Sequence, residues 1–257
     1  HTMDKLAGSF RSKKEARACY SKFDQTVCVS QYVHDDFCQL LDFRKPCRVL
    51  YNTVESDKIL AGANEAAPEL ADDGKIRLIA VGTLKQSKGY MRLLKIIRCL
   101  RDEQYPVHLY ILGIGPLQQE MEEYIRQNKL QDTVTLLGYQ TNPYKYVSKC
   151  DLFVCASFAE GFSTAATEAL IVGIPVCTVE VSGMKEMLGE DNEWGVVVEN
   201  SEKTLYQGIK NLLGEAEMLA HYKGKAAERG KMFSTQNTVR AAEKMLLELW
   251  GCYSEYH

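Results

Sequence analysis

The residues best suited to chemistry lie in one run, Ser157-Phe-Ala-Glu160-Gly161-Phe162-Ser163-Thr164-Ala-Ala-Thr-Glu168-Ala169-Leu170. Two glutamates stand eight positions apart, with a glycine and a pair of hydroxyls between them. Ser163 is a good helix N-cap, and Gly161 permits close approach to the backbone. Unpaired N–H groups around Ser163 and Thr164, reinforced by a helix dipole, predict a site for a phosphate-sized anion. If the run were helical throughout, eight residues would rise about 12 Å. Carboxyl pairs that cleave a glycosidic bond stand roughly 5–9.5 Å apart. The spacing therefore suits two ends of one long ligand, such as a sugar, a diphosphate and a ribose laid end to end. Taken singly, Glu160 reads as a loop charge and Glu168 as a solvated helix residue.

A second polar turn is Val81-Gly82-Thr83-Leu84-Lys85-Gln86-Ser87-Lys88-Gly89. A lysine there neutralises a phosphate as a point charge. Its glycine spacing and ending are not those of a P-loop. Leu112-Gly113-Ile-Gly115-Pro116 is only a fragment of a dinucleotide fingerprint, and alone it reads as an ordinary turn. Nine cysteines, at 19, 28, 38, 47, 99, 150, 155, 177 and 252, include no Cys-x-x-Cys pair. Several sit inside apolar runs, so they read as buried reduced thiols in a reducing, cytoplasmic compartment. Neither an Asp-x-Asp triplet nor a His/Cys ligand cluster is visible along the chain, and no metal is expected.

These turns need a frame. Ile76–Gly82, Val107–Leu112, Val134–Leu137, Leu152–Ala156, Pro175–Thr178 and Gly195–Val198 read as short apolar strands. Leu93, Ile96, Ile97 and Leu100 mark one face of a helix between the first two, and Leu117, Met121, Tyr124 and Ile125 mark the next. Strands alternating with helices predict an α/β fold with a doubly wound, Rossmann-like parallel sheet. Both polar turns follow strands, at the carboxyl edge where such sheets bind ligands. Three helical stretches finish the chain, the last from Ser234 to about Tyr253.

The first sixty residues offer strands at Gln25–Val29 and Cys47–Tyr51 with a helix at Gln31–Leu41, too little to bury a core alone. The expected division is residues 1–60 as the end of another domain, 61–74 as a linker, 75–233 as the ligand domain and 234–257 as a closing helix. Thirty-one Lys and Arg against 34 Asp and Glu, a net charge of −3, argue against nucleic acid as a partner. The longest apolar stretch, Ala169–Val179, is too short for a bilayer and holds Gly173 and Pro175. No apolar segment adjoins His1-Thr2-Met3, so no signal peptide is predicted. Arg11, Lys13, Lys14, Arg17 and Lys22 could meet a membrane surface, but Glu15 among them favours a solvated face.

In combination these segments resemble family four of the retaining GT-B glycosyltransferases (glycosyltransferase group 1). Glu160-Gly-Phe through Glu168-Ala-Leu, followed by Gly173-Ile-Pro-Val, resembles that family's E-x7-E signature. Gly82-Thr-Leu-x3-Lys88-Gly89 is similar to its Gly-Arg-Leu-x3-Lys-Gly turn, and Leu137-Gly138-Tyr139 and Ser182-Gly183 with Glu186 also match. Cys28-Val-Ser30 and Leu50-Tyr51-Asn52 resemble the last elements of its N-terminal domain and the hinge. The likeness covers about residues 23–250.

The resemblance implies the C-terminal half of a GT-B fold, a piece of a longer enzyme that is inactive alone. It implies a hexose donor, a UDP-sugar before a GDP-sugar, and a glycan or lipid-linked acceptor held by the other domain. Surface polysaccharide synthesis follows as the expected setting, with the enzyme cytoplasmic or peripheral at the cytoplasmic membrane face. Carried over by position, Glu160 would touch donor-sugar hydroxyls and the amides of Gly161, Phe162, Ser163 and Thr164 the sugar and diphosphate. Lys88 would hold the diphosphate, Glu168 the ribose, and Gly138 and Tyr139 would lie beside the base. The implied route is front-face and oxocarbenium-like, without metal or covalent intermediate. Thr83 stands where the family usually has arginine, a second cation on the leaving phosphates, and that departure favours an alternative, a nucleotide-binding module without transfer activity.

Overall fold

The computed structural model describes residues 10–254 apart from Pro68 and Asp72, with side chains as far as Gly251. The N-terminal unit is a parallel pair, β1 (Thr26–Cys28) and β2 (Cys47–Val49), joined by α2 (Gln31–Leu41) and backed by α1 (Lys13–Tyr20). Its small core of Ala16, Cys28, Phe37, Leu41 and Phe43 is separate from the main one. Helix α3 (Ser56–Ala63) leads out of it and ends inside the segment expected as a linker. Ala67 and Leu70 of that segment pack on the main core, and Ala71 N donates to Tyr110 Oη at 2.9 Å.

The main unit carries six parallel strands: β3 (Ile76–Val81), β4 (Val107–Leu112), β5 (Val134–Gly138), β6 (Leu152–Cys155), β7 (Val176–Val179) and β8 (Val196–Val198). Their order across the sheet is β5-β4-β3-β6-β7-β8. Helices α4 (Tyr90–Asp102), α5 (Gln118–Gln127), α6 (Tyr144–Val147), α7 (Thr164–Ile171) and α8 (Met184–Leu188) make the connections, and α9 (Glu202–Gly214), α10 (Ala216–Met232) and α11 (Thr235–Ser254) follow β8. This is the doubly wound architecture that the alternation of strands and helices predicts. Every residue of β4 is buried, as a strand covered on both faces requires. Even His108 complies: Thr135 Oγ1 lies 2.8 Å from its Nε2, its ring stacks on Tyr110, and burial pushes its pKa down.

The chain winds outward from β3 through β4 and β5, then returns to the other side of β3 with β6. β3 pairs with β4 along its whole length but with β6 only at Leu78 and Ile79. Beyond those pairs the connections leave β3 and β6 on opposite sides, which opens a crevice at the carboxyl edge.

The closing helix crosses back to β2. Thr235 Oγ1 donates to Val54 O at 2.7 Å, and Arg48 pairs with Glu248. A groove lined by Arg48, Leu50, Ala241 and Met245 separates helix and strand. Two large apolar side chains of this helix turn outward, with Leu246 59% and Trp250 78% exposed. Leu249 is half-buried, and the side chain of Tyr253 lies outside the described residues. Among the described residues, no helix is long and apolar enough to cross a membrane.

Candidate active site

The β3–β6 crevice gathers the two polar turns. Lys88 closes a short 3-10 turn after β3, and Glu160 sits in the loop after β6. Lys88 Nζ lies 2.6 Å from Glu160 Oε1, and the two side chains are 24% and 11% exposed. Ser157 Oγ donates to the same oxygen at 2.6 Å, and Ser182 Oγ donates to the Glu160 carbonyl. The ammonium has three donors and the pair uses one; Glu160 Oε2 accepts nothing from the described residues. A phosphate oxygen and a sugar hydroxyl could therefore both be received without breaking the pair.

Two features hold the turns in register. Phe158 N donates to Ser87 O at 2.8 Å, which ties one turn to the other. Gly89 has φ +68°, and a Cβ there would stand 1.9 Å from Ala156 O, so no other residue fits without displacing the backbone. The buried Arg92 donates to Ala156 O at 2.7 Å, Ser157 O at 2.9 Å and Asn200 Oδ1 at 2.8 Å, with its guanidinium 4.1 Å from the Phe158 ring centre. Sequence reasoning missed Arg92. The available signal was a charge on the inward stripe of α4, four positions before Ile96. Tyr90, whose hydroxyl donates to Gly82 O at 3.0 Å, was missed as well.

Helix α7 begins beside the pair. Ser163 is its N-cap, as expected, and accepts from Ala166 N at 3.3 Å. Thr164 is exposed in the first turn, and the space around Gly161 is open. Phe162 turns away: its ring stacks on Tyr51 at 5.0 Å and meets Phe233 at 5.8 Å, which leaves only its backbone for a ligand. Glu168 lies further along the helix, half-buried, with Tyr144 Oη donating to its Oε1 at 3.2 Å. Burial raises its pKa above the ordinary 4.5, a rise the hydroxyl only partly offsets. Tyr144 in turn is pushed up to about 12, by burial first and then by that carboxylate.

The remaining expected residues share the carboxyl edge without touching the pair. Thr83 is exposed just beyond β3; Gly138 ends β5 and Tyr139, 70% exposed, follows it. The Gly113 turn is structural: a Cβ there would lie 2.0 Å from Gly82 O, so it packs the β4 loop against the β3 loop. A separate cleft of about 880 Å³ opens between α2 and α8, with Phe158 and Ser182 on its walls. Asp35, Glu180, Glu186 and Glu190 outnumber Lys185 on its walls, which disfavours a diphosphate there.

Away from this crevice the fold brings together a group that the linear sequence does not: the ligand atoms of His34, Cys38 and Cys47 lie within 4.8 Å of one another. They come from α2 and β2, so no linear spacing announces the cluster.

Residues 63–229 match the family model described as glycosyl transferases group 1. The Campylobacter jejuni N-acetylgalactosamine-N,N'-diacetylbacillosaminyl-diphospho-undecaprenol 4-alpha-N-acetylgalactosaminyltransferase is 36% identical over 205 residues, 79% of this chain and 54% of that enzyme. The amylovoran biosynthesis glycosyltransferase AmsK of Erwinia amylovora is 27% identical over 153 residues, 56% of this chain and 38% of the relative. The chain thus spans about half, or less, of these relatives. Among solved structures, Anabaena Alr3699/HepE in complex with UDP superposes with a TM-score of 0.80 at 18% identity, over 92% of this chain and 67% of that one, which shows a shared fold. With the family model matching well over half its length, the chain belongs to the glycosyl transferases of group 1.

Proposed function

We propose that this chain is the donor-binding, C-terminal part of a retaining hexosyltransferase and takes a nucleoside-diphosphate sugar in the β3–β6 crevice. The observation that carries the reading is the Lys88–Glu160 pair set against the Ser163-capped start of α7. In this layout the remaining Lys88 donors and the amides of residues 161–164 receive the diphosphate. Glu160 Oε2 takes donor-sugar hydroxyls, and Glu168 replaces water or Tyr144 with the ribose diol. Gly138 and Tyr139 border the base. When the glycosidic bond breaks, negative charge grows on the departing diphosphate, where Lys88 and the helix amides stabilise it electrostatically. Nucleotide binding then needs no divalent cation.

UDP is the preferred nucleotide, in keeping with the UDP found in the HepE complex. A glycan or lipid-linked acceptor in surface polysaccharide synthesis is in keeping with the two named relatives. Such an acceptor places the work at the cytoplasmic face of a membrane. Transfer belongs to the whole protein, and this chain alone binds without turning over. Thr83 favours a second reading, a nucleotide-binding module without transfer, because it puts no charge at the end of β3.

A thermal-shift panel of UDP, GDP and ADP without added metal tests the proposal. Binding to the folded state alone adds about 2.7 kcal/mol at a hundredfold excess over Kd. UDP should raise Tm most. No shift with any nucleotide at millimolar concentration would remove the donor site.

A further inference from the structure

We propose that Cys28, Cys38, Cys47 and His34 form a tetrahedral zinc site that staples the N-terminal unit. The four residues come from three elements: Cys28 ends β1, His34 and Cys38 stand four apart on α2, and Cys47 opens β2. Cys28 Sγ lies 3.7 Å from Cys47 Sγ, and Cys38 Sγ lies 3.8 Å from His34 Nε2. The ligand atoms of His34, Cys38 and Cys47 all fall within 4.8 Å of one another. Zinc holds thiolates at about 2.3 Å and imidazole at about 2.0–2.1 Å, so tetrahedral neighbours stand about 3.5–3.8 Å apart. The Cys28–Cys47 and Cys38–His34 pairs are already at about that separation, while Cys28 stands outside the group formed by the other three and would draw in on binding.

The histidine is oriented for the task. Its Nδ1 is 2.8 Å from Asp35 Oδ1, which also accepts from Gln31 Nε2 at 2.7 Å. A proton on Nδ1 directed at that carboxylate leaves the Nε2 lone pair facing Cys38, the carboxylate–histidine arrangement common behind metal ligands. Soft thiolates with one imidazole select zinc over the hard cations. Three thiols and an imidazole also exceed what one disulfide would use.

The site would lie among the three elements that pack around the N-terminal core. A cation joining β1, α2 and β2 would fix all three, and binding would release the thiol protons to solvent.

Adding Co2+ to the reduced chain, then displacing it with Zn2+, tests the site directly. The expected result is a thiolate-to-cobalt charge-transfer band with the strong visible bands of tetrahedral cobalt, saturating at one equivalent and erased by zinc. Cys38→Ser or Cys47→Ser should abolish tetrahedral binding. Cys28→Ser should lower the charge-transfer band by about a third, one thiolate of three. Asp35→Asn should weaken affinity about tenfold to a hundredfold, and Cys99→Ser, on α4, should change nothing. Because the serine variants could misfold, alkylation of the unsubstituted chain is mapped by mass spectrometry with and without Zn2+. Protection confined to Cys28, Cys38 and Cys47 supports the site. No charge-transfer band, protection spread evenly over all cysteines, or a Cys28–Cys47 disulfide that persists against reductant would each overturn it.

Discussion

Glu168 is half-buried, and among the described residues its carboxylate receives one side-chain hydrogen bond, from Tyr144. Burial raises its pKa above 4.5, so the folded chain holds this proton more tightly than the unfolded chain does. The sign follows from linkage: where the native state binds more protons, stability falls as pH rises, here from about 4.5 upward. Glu168→Gln removes the cost of a buried charge. Its Tm should exceed the parent's at neutral pH, and the gap should close as pH drops below 4.5. A gap that does not vary with pH would sink this account. The same carboxylate is the proposed ribose partner, so Glu168→Ala should lose at least tenfold in nucleoside diphosphate affinity, given roughly 1.5–3 kcal/mol for a hydrogen bond to a charge. Glu160 should behave differently. Its removal frees Lys88, so bare UDP should bind as well or slightly better, while the increment from the sugar disappears. Lys88→Ala should weaken diphosphate far more than nucleoside. Calorimetric titration of nucleoside, UDP and UDP-sugar against the three variants separates these effects. Equal losses for every ligand would mean the residues act through folding. The two glutamates and the lysine were legible from the sequence because both turns follow apolar strands. The pairing of Lys88 with Glu160 was not, since 72 positions separate them.

At the scale of elements, the crevice depends on how closely two turns approach. Short apolar runs are enough to read β3 through β8, because buried parallel strands look like that, and periodicity marks the first two helices between them, α4 and α5. What periodicity cannot show is the buttress behind the site. Arg92 satisfies carbonyls 64 and 65 positions away, contacts that only the strand order creates. Arg92→Met keeps the volume of the side chain but leaves the Ala156 and Ser157 carbonyls without their donor. A buried polar group left unpaired costs about 1–3 kcal/mol, so the two carbonyls together predict a destabilisation of about 2–6 kcal/mol in urea melts. The loop carrying Glu160 should loosen with it, and the sugar increment should fall more than nucleotide affinity. Unchanged stability in Arg92→Met would show that the loop holds itself.

At the scale of the whole molecule, one carboxylate links two parts of the N-terminal side to the wall of the site. Glu186 accepts the Gln31 amide, at 2.7 Å to Oε2 and 3.0 Å to Oε1, and the Tyr51 hydroxyl at 2.7 Å. A carboxylate at the start of α2 also meets the positive end of that helix. Behind it, Arg229 donates to the carbonyls of Glu186 and Met187 at 2.7 and 2.8 Å, which fixes α8 from the other side. The Tyr51 ring stacks on Phe162, the residue after Gly161, so the clasp and the anion site share a wall. Burial and the Glu186 bond push the Tyr51 hydroxyl up to about 12, so it remains a donor at any working pH. From the sequence Glu186 is a motif match without a role, because its partners lie 155 and 135 positions upstream. Glu186→Ala should release Gln31 and Tyr51 together and leave the six-stranded sheet intact. Amide exchange should then quicken across Gln31–Leu41 while β3, β4 and β6 keep their protection. UDP affinity should change little, since neither Lys88 nor Glu168 is touched. Tyr51→Phe keeps the ring stack and loses only the hydroxyl, so it should produce a smaller rise in exchange on the same helix. If exchange instead quickened throughout the sheet, or not at all, Glu186 would be a general stabiliser and not the clasp between the two units.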